Sequence, residues 1–338
     1  MSYLLWRFAI GLSLCLAPII AASHHAAAGL YDNEAIGEVE GVVVSVFWRN
    51  PHVRFRLERT GDNGQPETWE IEGGSVNTLE RVGLRADMLK VGDQVRFAGF
   101  PGRNARRAIF ARTVTLASGE QLALAVDLRN RYAPPAQGTA SADAGAELDI
   151  FRVWVPIRMA LTDSAEITFP LTPSARAARV AYDPGDDPAL RCIPPGMPSA
   201  MDNPYPIEFL ERGEEIILRL EEWDGVRTIH MDDGSSAERS SAGHMGYSRG
   251  RWEGNTLVVE TTDIDYAYFD DLGTPMSGEA VVLERFTLHP GERRLTWDAR
   301  LTDPQSFTEP VVMDMEWAFV PGQEIKPFNC TLEPAPAG

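Results

Sequence analysis

The recurrence of short segments in which apolar and polar residues alternate is the feature that most constrains the fold of this 338-residue chain. Val53, Phe55 and Leu57, for example, alternate with arginine and glutamate, and a period of two is typical of a strand with one buried face. Turn signals such as Gly254-Asn255 separate these segments, so most successive strands are expected to pair antiparallel. The chain is therefore predicted to be mainly β.

The predicted strands fall into two groups, separated by residues 126–147, which are rich in Ala, Pro and Gly and are predicted to be a linker. Residues 24–125 hold five predicted strands with a helix, Ser75–Val82, before the fourth, which is the element order of an OB-like small barrel. Residues 148–332 are predicted to form a larger antiparallel β-barrel or sandwich with one helix, Thr172–Tyr182. The predicted strands are Glu38–Trp48, Val53–Glu58, Thr68–Ile71, Gln94–Phe100, Ala108–Leu116, Glu214–Glu222, Arg227–Met231, Tyr247–Trp252, Thr256–Thr262, Ala280–Leu288, Arg294–Leu301 and Val311–Phe319.

The first residues have the pattern of a secretory signal peptide. Arg7 is followed by the apolar run Phe8–Ile20 and by the small residues Ala21-Ala22-Ser23. The apolar run is about 13 residues long, whereas a membrane-spanning helix needs roughly 20. We therefore expect residues 1–23 to be removed, the mature protein to be periplasmic or secreted, and no membrane insertion after removal.

Two cysteines, Cys192 and Cys330, remain once Cys15 is removed with the signal. An even number of cysteines in an exported protein predicts a disulfide bond between them. Two separate buried thiols are the alternative.

The net charge of −18 is concentrated in the second half of the chain. Residues 126–338 hold 18 Lys and Arg against 36 Asp and Glu, whereas residues 24–125 hold 12 against 13. Because nucleic-acid binding depends mainly on neutralising phosphates, this composition argues against a nucleic-acid partner.

The N-terminal half carries three distinctive segments, His24-His25, Trp48–His52 and Leu89–Asp93. Together they resemble DUF family 6152, a group of uncharacterised exported proteins, over about residues 24–124. The family pattern has a His-His pair at the mature N-terminus and an Asn-Pro-His turn; the chain matches both and departs at Ala26-Ala27-Ala28. The C-terminal half resembles another uncharacterised group of exported bacterial proteins, and neither resemblance implies an activity.

Three histidines, His24, His25 and His52, are the best candidates for metal ligands. Imidazole nitrogens and the α-amine of a new N-terminus suit copper(II). The alternative is that His24-His25 is a disordered tail and that His52 is a turn residue satisfied by hydrogen bonding.

The segment Gly246–Gly250 matches the Gly-x-Ser-x-Gly motif of a hydrolase nucleophile, with Ser248 as the nucleophile and His244 and Asp263 as partners. That motif needs a strand before the serine and a helix after it, whereas Arg251–Thr262 is predicted to be a hairpin. The glycines could equally serve tight turns and close strand packing.

Four aspartates accompany aromatic residues shortly after this motif, in the segment from Asp263 to Asp271. Such a segment could be a carbohydrate-binding surface, a calcium loop or a solvated acidic loop.

Taken together, the sequence favours an exported protein that binds a small molecule or a metal, with a copper site at the mature N-terminus. Two alternatives stay open. One is a periplasmic, hydrolase-like enzyme with its site around His244 and Ser248, and the other is a non-catalytic interaction module of the envelope.

Overall fold

The computed structural model describes residues 30–125, 132, 149–159, 168–231 and 243–332. It shows a mainly β protein made of a small five-strand barrel followed by a closed nine-strand barrel, which confirms the predicted fold class. The predicted signal peptide, His24, His25 and most of the predicted linker lie outside the described residues.

The first barrel is built from strands joined in the order β3-β2-β1-β4-β5, and the parallel pairing of β3 with β5 closes it. Its core contains Phe55, Leu57 and Phe97, all fully buried, so the alternation in residues 53–58 does mark a buried face. Helix α1 begins where the Ser75 side chain accepts a hydrogen bond from the backbone of Thr78 at 3.1 Å, as expected for an N-cap serine. The elements are β1 Gly37–Phe47, β2 Arg54–Thr60, β3 Pro66–Glu72, α1 Val76–Arg81, β4 Gln94–Pro101, β5 Ala108–Leu116 and β6 Gln121–Ala123, which pairs with β5.

The second barrel is a ring of strands in the order β10-β11-β12-β13-β14-β15-β7-β8-β9. All neighbours pair antiparallel except β10 and β11, which are parallel. The predicted hairpin at Gly254-Asn255 is present, with Glu253 opposite Thr256. The elements are β7 Val153–Arg158, α2 Pro173–Ala181, β8 Ile207–Arg212, β9 Glu215–Leu220, β10 Gly225–His230, β11 Tyr247–Glu253, β12 Thr256–Thr262, β13 Val281–His289, β14 Arg294–Thr302 and β15 Val311–Ala318.

Three strands, β6, β7 and β8, are not predicted by the sequence patterns. Strand β7 buries three consecutive residues, Trp154, Val155 and Pro156, so its sequence shows no alternation. Strand β8 directly follows a proline-rich segment, and β6 is only 3 residues long. Strands β7 and β8 are the ones that complete the ring between β15 and β9.

The interior of the second barrel is filled by large aromatic side chains. Trp154, Trp297, Trp317, Phe209 and Phe286 are each fully buried. These rings pack edge to face, as in the Phe209–Phe286 pair, whose ring planes meet at 79°. Aromatic side chains of this size bury large apolar areas. The described residues therefore form a packed core inside this barrel, and we place the candidate ligand site outside it.

Candidate functional site between the two barrels

The two barrels are joined by the C-terminal segment of the chain. Asn50 of the first barrel forms an isolated β-bridge with Cys330, and the backbone of Thr331 donates to the Asn50 carbonyl at 3.1 Å. The Asn50 side chain donates to Asn77 at 2.8 Å and to the carbonyl of Phe328. The segment after β15 therefore crosses from the second barrel and is hydrogen-bonded to the first.

A buried carboxylate, that of Glu221, strengthens this interface. Both terminal nitrogens of Arg81 donate to it at 2.5 Å, and Asn77 donates to it at 3.0 Å. The backbone of Lys326 adds a fourth donor at 2.9 Å. Since the Glu221 side chain is fully buried and the Arg81 side chain is 6% exposed, these charge-assisted bonds are shielded from water.

The predicted disulfide bond between Cys192 and Cys330 is present, with Cα atoms 5.8 Å apart. It links the loop that carries Asp187–Leu190 to the C-terminal segment at the point where that segment meets Asn50. The bond therefore ties this loop of the second domain to the C-terminal segment that is hydrogen-bonded to the first barrel.

A cleft lies between the two barrels beside these contacts. Its empty volume is about 1450 Å³, counting the space that opens to solvent, and both barrels contribute residues to it. Clefts of this kind between domains are common sites for small ligands. We call its first-barrel side the histidine wall, formed by Tyr31, His52, Glu72 and Phe110, and its second-barrel side the tyrosine wall, formed by Asp187, Tyr266, Tyr268, Asp270 and Asp271.

The histidine wall is organised around the carboxylate of Glu72. Nδ1 of His52 is hydrogen-bonded to Oε1 of this carboxylate, and the Tyr31 hydroxyl donates to Oε2 at 2.9 Å. The ring of His52 also contacts Phe110 edge-on, with centroids 5.8 Å apart. Because Glu72 engages Nδ1, the other ring nitrogen, Nε2, is the one that faces away from this pair.

The groups around Glu72 stabilise its ionised form. Burial by itself would raise the pKa of this carboxyl, but His52, Arg54 and the Tyr31 hydroxyl outweigh burial and lower the pKa to about 2. Burial and the neighbouring Glu72 raise the pKa of Tyr31 above its usual value. Glu72 is therefore an anion, and Tyr31 a neutral donor, throughout the physiological pH range.

The tyrosine wall depends on two glycines that let rings approach the backbone. A Cβ at Gly196 would lie 2.5 Å from the Cβ of Tyr266, and a Cβ at Gly273 would lie 2.1 Å from the ring of Tyr182. Tyr182 packs against Tyr268 with centroids 5.3 Å apart, and Tyr268 lies 6.1 Å from Tyr266 at 81°. The phenol rings consequently meet at steep angles and form a corner.

Carboxylates surround this corner. Asp270 accepts from the backbone and hydroxyl of Thr274 at 2.9 and 2.8 Å, and burial raises its pKa. Burial, followed by the carboxylate of Asp187, raises the pKa of Tyr266, and Asp271 acts in the same direction. Arg179 lies 3.5 Å from Asp270 and offsets its charge, so the negative field at Tyr266 comes from Asp187 and Asp271.

One family model matches part of the N-terminal half of the chain, and it carries no activity. Residues 13–110 match DUF6152, a family of unknown function. The match confirms the resemblance of the N-terminal half, and it includes Tyr31, His52 and Glu72 of the histidine wall. No curated protein matches the chain.

The DUF6152 match does not reach the tyrosine wall, which belongs entirely to the second barrel. The cleft therefore joins residues of the DUF6152 region to residues of a domain that this family does not cover. The two walls come from parts of the chain that are at least 77 positions apart, Phe110 and Asp187 being the nearest pair in sequence.

Of the other predicted site residues, Ser248 and Asp263 do not line the cleft, whereas the ring of His244 packs against Tyr266 of the tyrosine wall with centroids 4.9 Å apart. Ser248 is fully buried inside the second barrel, where it accepts from Nε of Arg227 at 2.9 Å and shares a hydrogen bond with Thr261 at 3.0 Å. Nδ1 of His244 donates to the carbonyl of Pro194 at 2.9 Å, and Asp263 is an exposed residue that accepts from the Thr262 hydroxyl at 2.8 Å. None of the hydrogen bonds described for the structure joins these three residues to one another.

The buried network around Ser248 has a structural explanation. Arg227 and Glu284 form a fully buried ion pair, to which Trp297 donates at 3.0 Å. An ion pair in an apolar barrel is tolerated only when its hydrogen bonds are satisfied, and the hydroxyl of Ser248 serves this purpose.

Two kinds of feature, a metal-binding cluster and a membrane-spanning helix, are absent from the described part of the chain. Residues 30–125, 149–159, 168–231 and 243–332 contain no group of three or more His, Cys, Asp or Glu side chains placed to hold a metal ion. Within the same ranges, no helix has the length and apolar character needed to cross a membrane. His24 and His25, the proposed partners of His52, lie outside these ranges.

Most residues of the cleft were not identified from the sequence. Tyr31 and Glu72 are separated by 41 positions and meet only because the barrel closes. The segment from Asp263 to Asp271 was singled out as a mixture of acidic and aromatic residues, and the structure places Tyr266, Tyr268, Asp270 and Asp271 from it in the cleft. Its composition was the signal, but its position opposite His52 could not be deduced.

Proposed function

We propose that this protein is an exported binding protein that holds a small organic molecule in the cleft between its two barrels. The observation that carries the proposal is the cleft itself, which combines aromatic side chains with a few fixed polar groups from two different domains. This combination is typical of small-molecule sites. The disulfide bond supports export, because such bonds persist in oxidising compartments.

The rigid connection between the barrels also supports this proposal. The Glu221–Arg81 pair joins the two barrels directly, and the Cys192–Cys330 bond fixes the C-terminal segment that is hydrogen-bonded to the first barrel, so relative movement of the two walls is limited. A site whose walls are fixed before binding loses less entropy when the ligand enters. We therefore expect binding without a large rearrangement.

Binding of the neutral fluorophore N-phenyl-1-naphthylamine to the mature protein tests the proposal. We expect saturable binding of one molecule per chain, weakened about fivefold or more by Tyr268→Leu, since an aromatic contact contributes about 1 kcal/mol. The matched control is Trp252→Leu, which removes an aromatic side chain that is 44% exposed and does not line the cleft. Absence of saturable binding, or equal weakening by both variants, would contradict the proposal.

A copper site formed by His24, His25 and His52 is the second candidate function, and one observation favours it. Histidines that bind metals usually donate their other ring nitrogen to a carboxylate, and Nδ1 of His52 is paired with Glu72 in this way. The Tyr31 hydroxyl is hydrogen-bonded to the same carboxylate, and the six Cα-to-Cα steps from His25 to Tyr31 span at most about 22 Å. The histidine pair is thus within reach of Nε2 of His52.

A copper(II) titration of the correctly processed protein tests the second candidate. Tight one-to-one binding that is lost in His52→Ala and after acetylation of the N-terminus is the expected result. Binding that is indifferent to His52 would contradict a shared site and would leave copper on the N-terminal residues alone.

A further inference from the structure

We infer that the molecule taken by the cleft is an organic cation, an ammonium group on a small apolar body, which binds at the corner of the tyrosine wall. This inference rests on the proposed function and specifies the class of ligand. Three features of the cleft support it: the charges that line it, the faces of its tyrosine rings, and the shape that those rings form.

The charges that line the cleft are mostly negative. Six carboxylates line it, against one guanidinium, that of Arg54, and the imidazole of His52. The Arg54 side chain is 36% exposed and lies 3.9 Å from Glu72, so its charge is directed to the histidine wall. On the tyrosine wall an anionic ligand would meet unfavourable potential, and a cation would meet favourable potential.

Two carboxylates of the cleft lining, Asp187 and Asp271, act electrostatically on Tyr266. Asp187, which precedes a short helical turn, and Asp271, which follows the Tyr266–Asp270 segment, approach Tyr266 from different parts of the chain, and both raise the pKa of its phenol. Burial and these carboxylates favour the protonated phenol, so Tyr266 is a neutral ring at physiological pH. The faces of such rings attract cations through their quadrupole.

The shape of the corner distinguishes a compact cation from a flat sugar. Sugars stack on broad aromatic platforms, whereas the two rings that line the cleft, Tyr266 and Tyr268, meet at an interplanar angle of 81°. Tyr182, outside the cleft lining, packs against Tyr268 at 59°. Two rings at such angles present their faces to a rounded group, which is the geometry of an aromatic cage for an alkylated ammonium. The absence of a side chain at Gly196 leaves room for Tyr266, and its absence at Gly273 leaves room for Tyr182, which packs against Tyr268.

Choline and its neutral isostere 3,3-dimethylbutan-1-ol form the matched probe pair for the experiment. They have nearly the same shape and differ in the charge of the quaternary centre. The dissociation constants for the full mature protein are measured by ligand-observed NMR, with competition by N-phenyl-1-naphthylamine to locate binding in the cleft. We expect choline to bind about tenfold more tightly than the isostere, as cation–π and carboxylate attraction together predict.

Variants test whether the preference for choline over its neutral isostere arises at the corner of the tyrosine wall. Asp271→Asn is expected to weaken choline binding about threefold to tenfold and to leave binding of 3,3-dimethylbutan-1-ol unchanged. The control Asp298→Asn changes an exposed aspartate on β14, and neither probe is expected to respond. Tyr266→Leu is expected to reduce the preference for choline, because the apolar contact remains while the π face is lost.

The outcomes separate the two proposals. Equal or tighter binding of the neutral isostere overturns the cation inference and leaves the cleft as a binding site. Binding of N-phenyl-1-naphthylamine with no competition by choline overturns it as well. Failure of all three probes to bind overturns both the inference and the proposed function.

Discussion

Replacing Glu221 by glutamine is predicted to destabilise the protein by about 3 kcal/mol, because it leaves a buried guanidinium without its counter-charge. The Glu221 carboxylate is fully buried and accepts from Arg81, Asn77 and the backbone of Lys326. Removing one partner of a buried ion pair usually lowers the free energy of unfolding by about 3–5 kcal/mol. Arg81 also donates to the carbonyl of Glu324 at 3.1 Å, which places the expected loss at the lower end.

The assay is urea unfolding of the mature protein at pH 7, followed by tryptophan fluorescence and by circular dichroism. Glu253→Gln is the control, since Glu253 pairs with Arg251 and Arg285 on the exposed surface and its loss is expected to change stability little. Adding Arg81→Met to Glu221→Gln should recover part of the loss, because no unpaired charge then remains. A loss below about 1 kcal/mol for Glu221→Gln would refute the reasoning that the pair is buried and joins the two barrels.

Three further predictions concern the two walls and the interior of the second barrel. The free energy of unfolding of the wild type is expected to exceed that of Glu72→Gln most above pH 4.5, and this difference should shrink as the pH falls and vanish below about pH 2. The reason is that folding lowers the pKa of Glu72 from 4.5 to about 2, a shift that corresponds to about 3 kcal/mol. Urea unfolding at several pH values that shows a constant difference would contradict this prediction. Gly196→Ala is expected to displace Tyr266 and so to lower the melting temperature and weaken binding of N-phenyl-1-naphthylamine. Gly278→Ala, where the added Cβ has open space around it, should do neither, and equal behaviour of the two variants would contradict the packing of Tyr266 against Gly196. Ser248 is expected to stay unmodified by an acyl-phosphonate probe in the native protein because its hydroxyl is buried and bonded to Arg227, and labelling of Ser248 detected by mass spectrometry would instead favour the enzyme alternative.

Local signals in the sequence predicted local structure well. The N-cap at Ser75 follows from the residue type and its position before a helical segment, and the structure shows the expected bond. The hairpin at Gly254-Asn255 follows from the turn chemistry. Strand β7 was missed because it is buried on both faces, and a strand of that kind has no period of two.

The candidate site could be predicted only in part, for a physical reason. His52 was recognised as a chemically active residue, but its partner Glu72 is fixed by the register of β2 against β3, which places Arg54 opposite Glu72. Sequence patterns do not determine such a register unless one face is strongly apolar. The tyrosine wall was visible as a cluster of residue types, yet its position across from His52 depends on how two barrels pack together.

Hydrogen–deuterium exchange of the mature protein, with and without N-phenyl-1-naphthylamine, tests the central claim most directly. The account predicts slower exchange on binding in two separate regions, residues 51–54 of the histidine wall and residues 266–271 of the tyrosine wall. Protection of only one of these regions, or protection confined to other parts of the chain, would contradict a site shared by the two barrels.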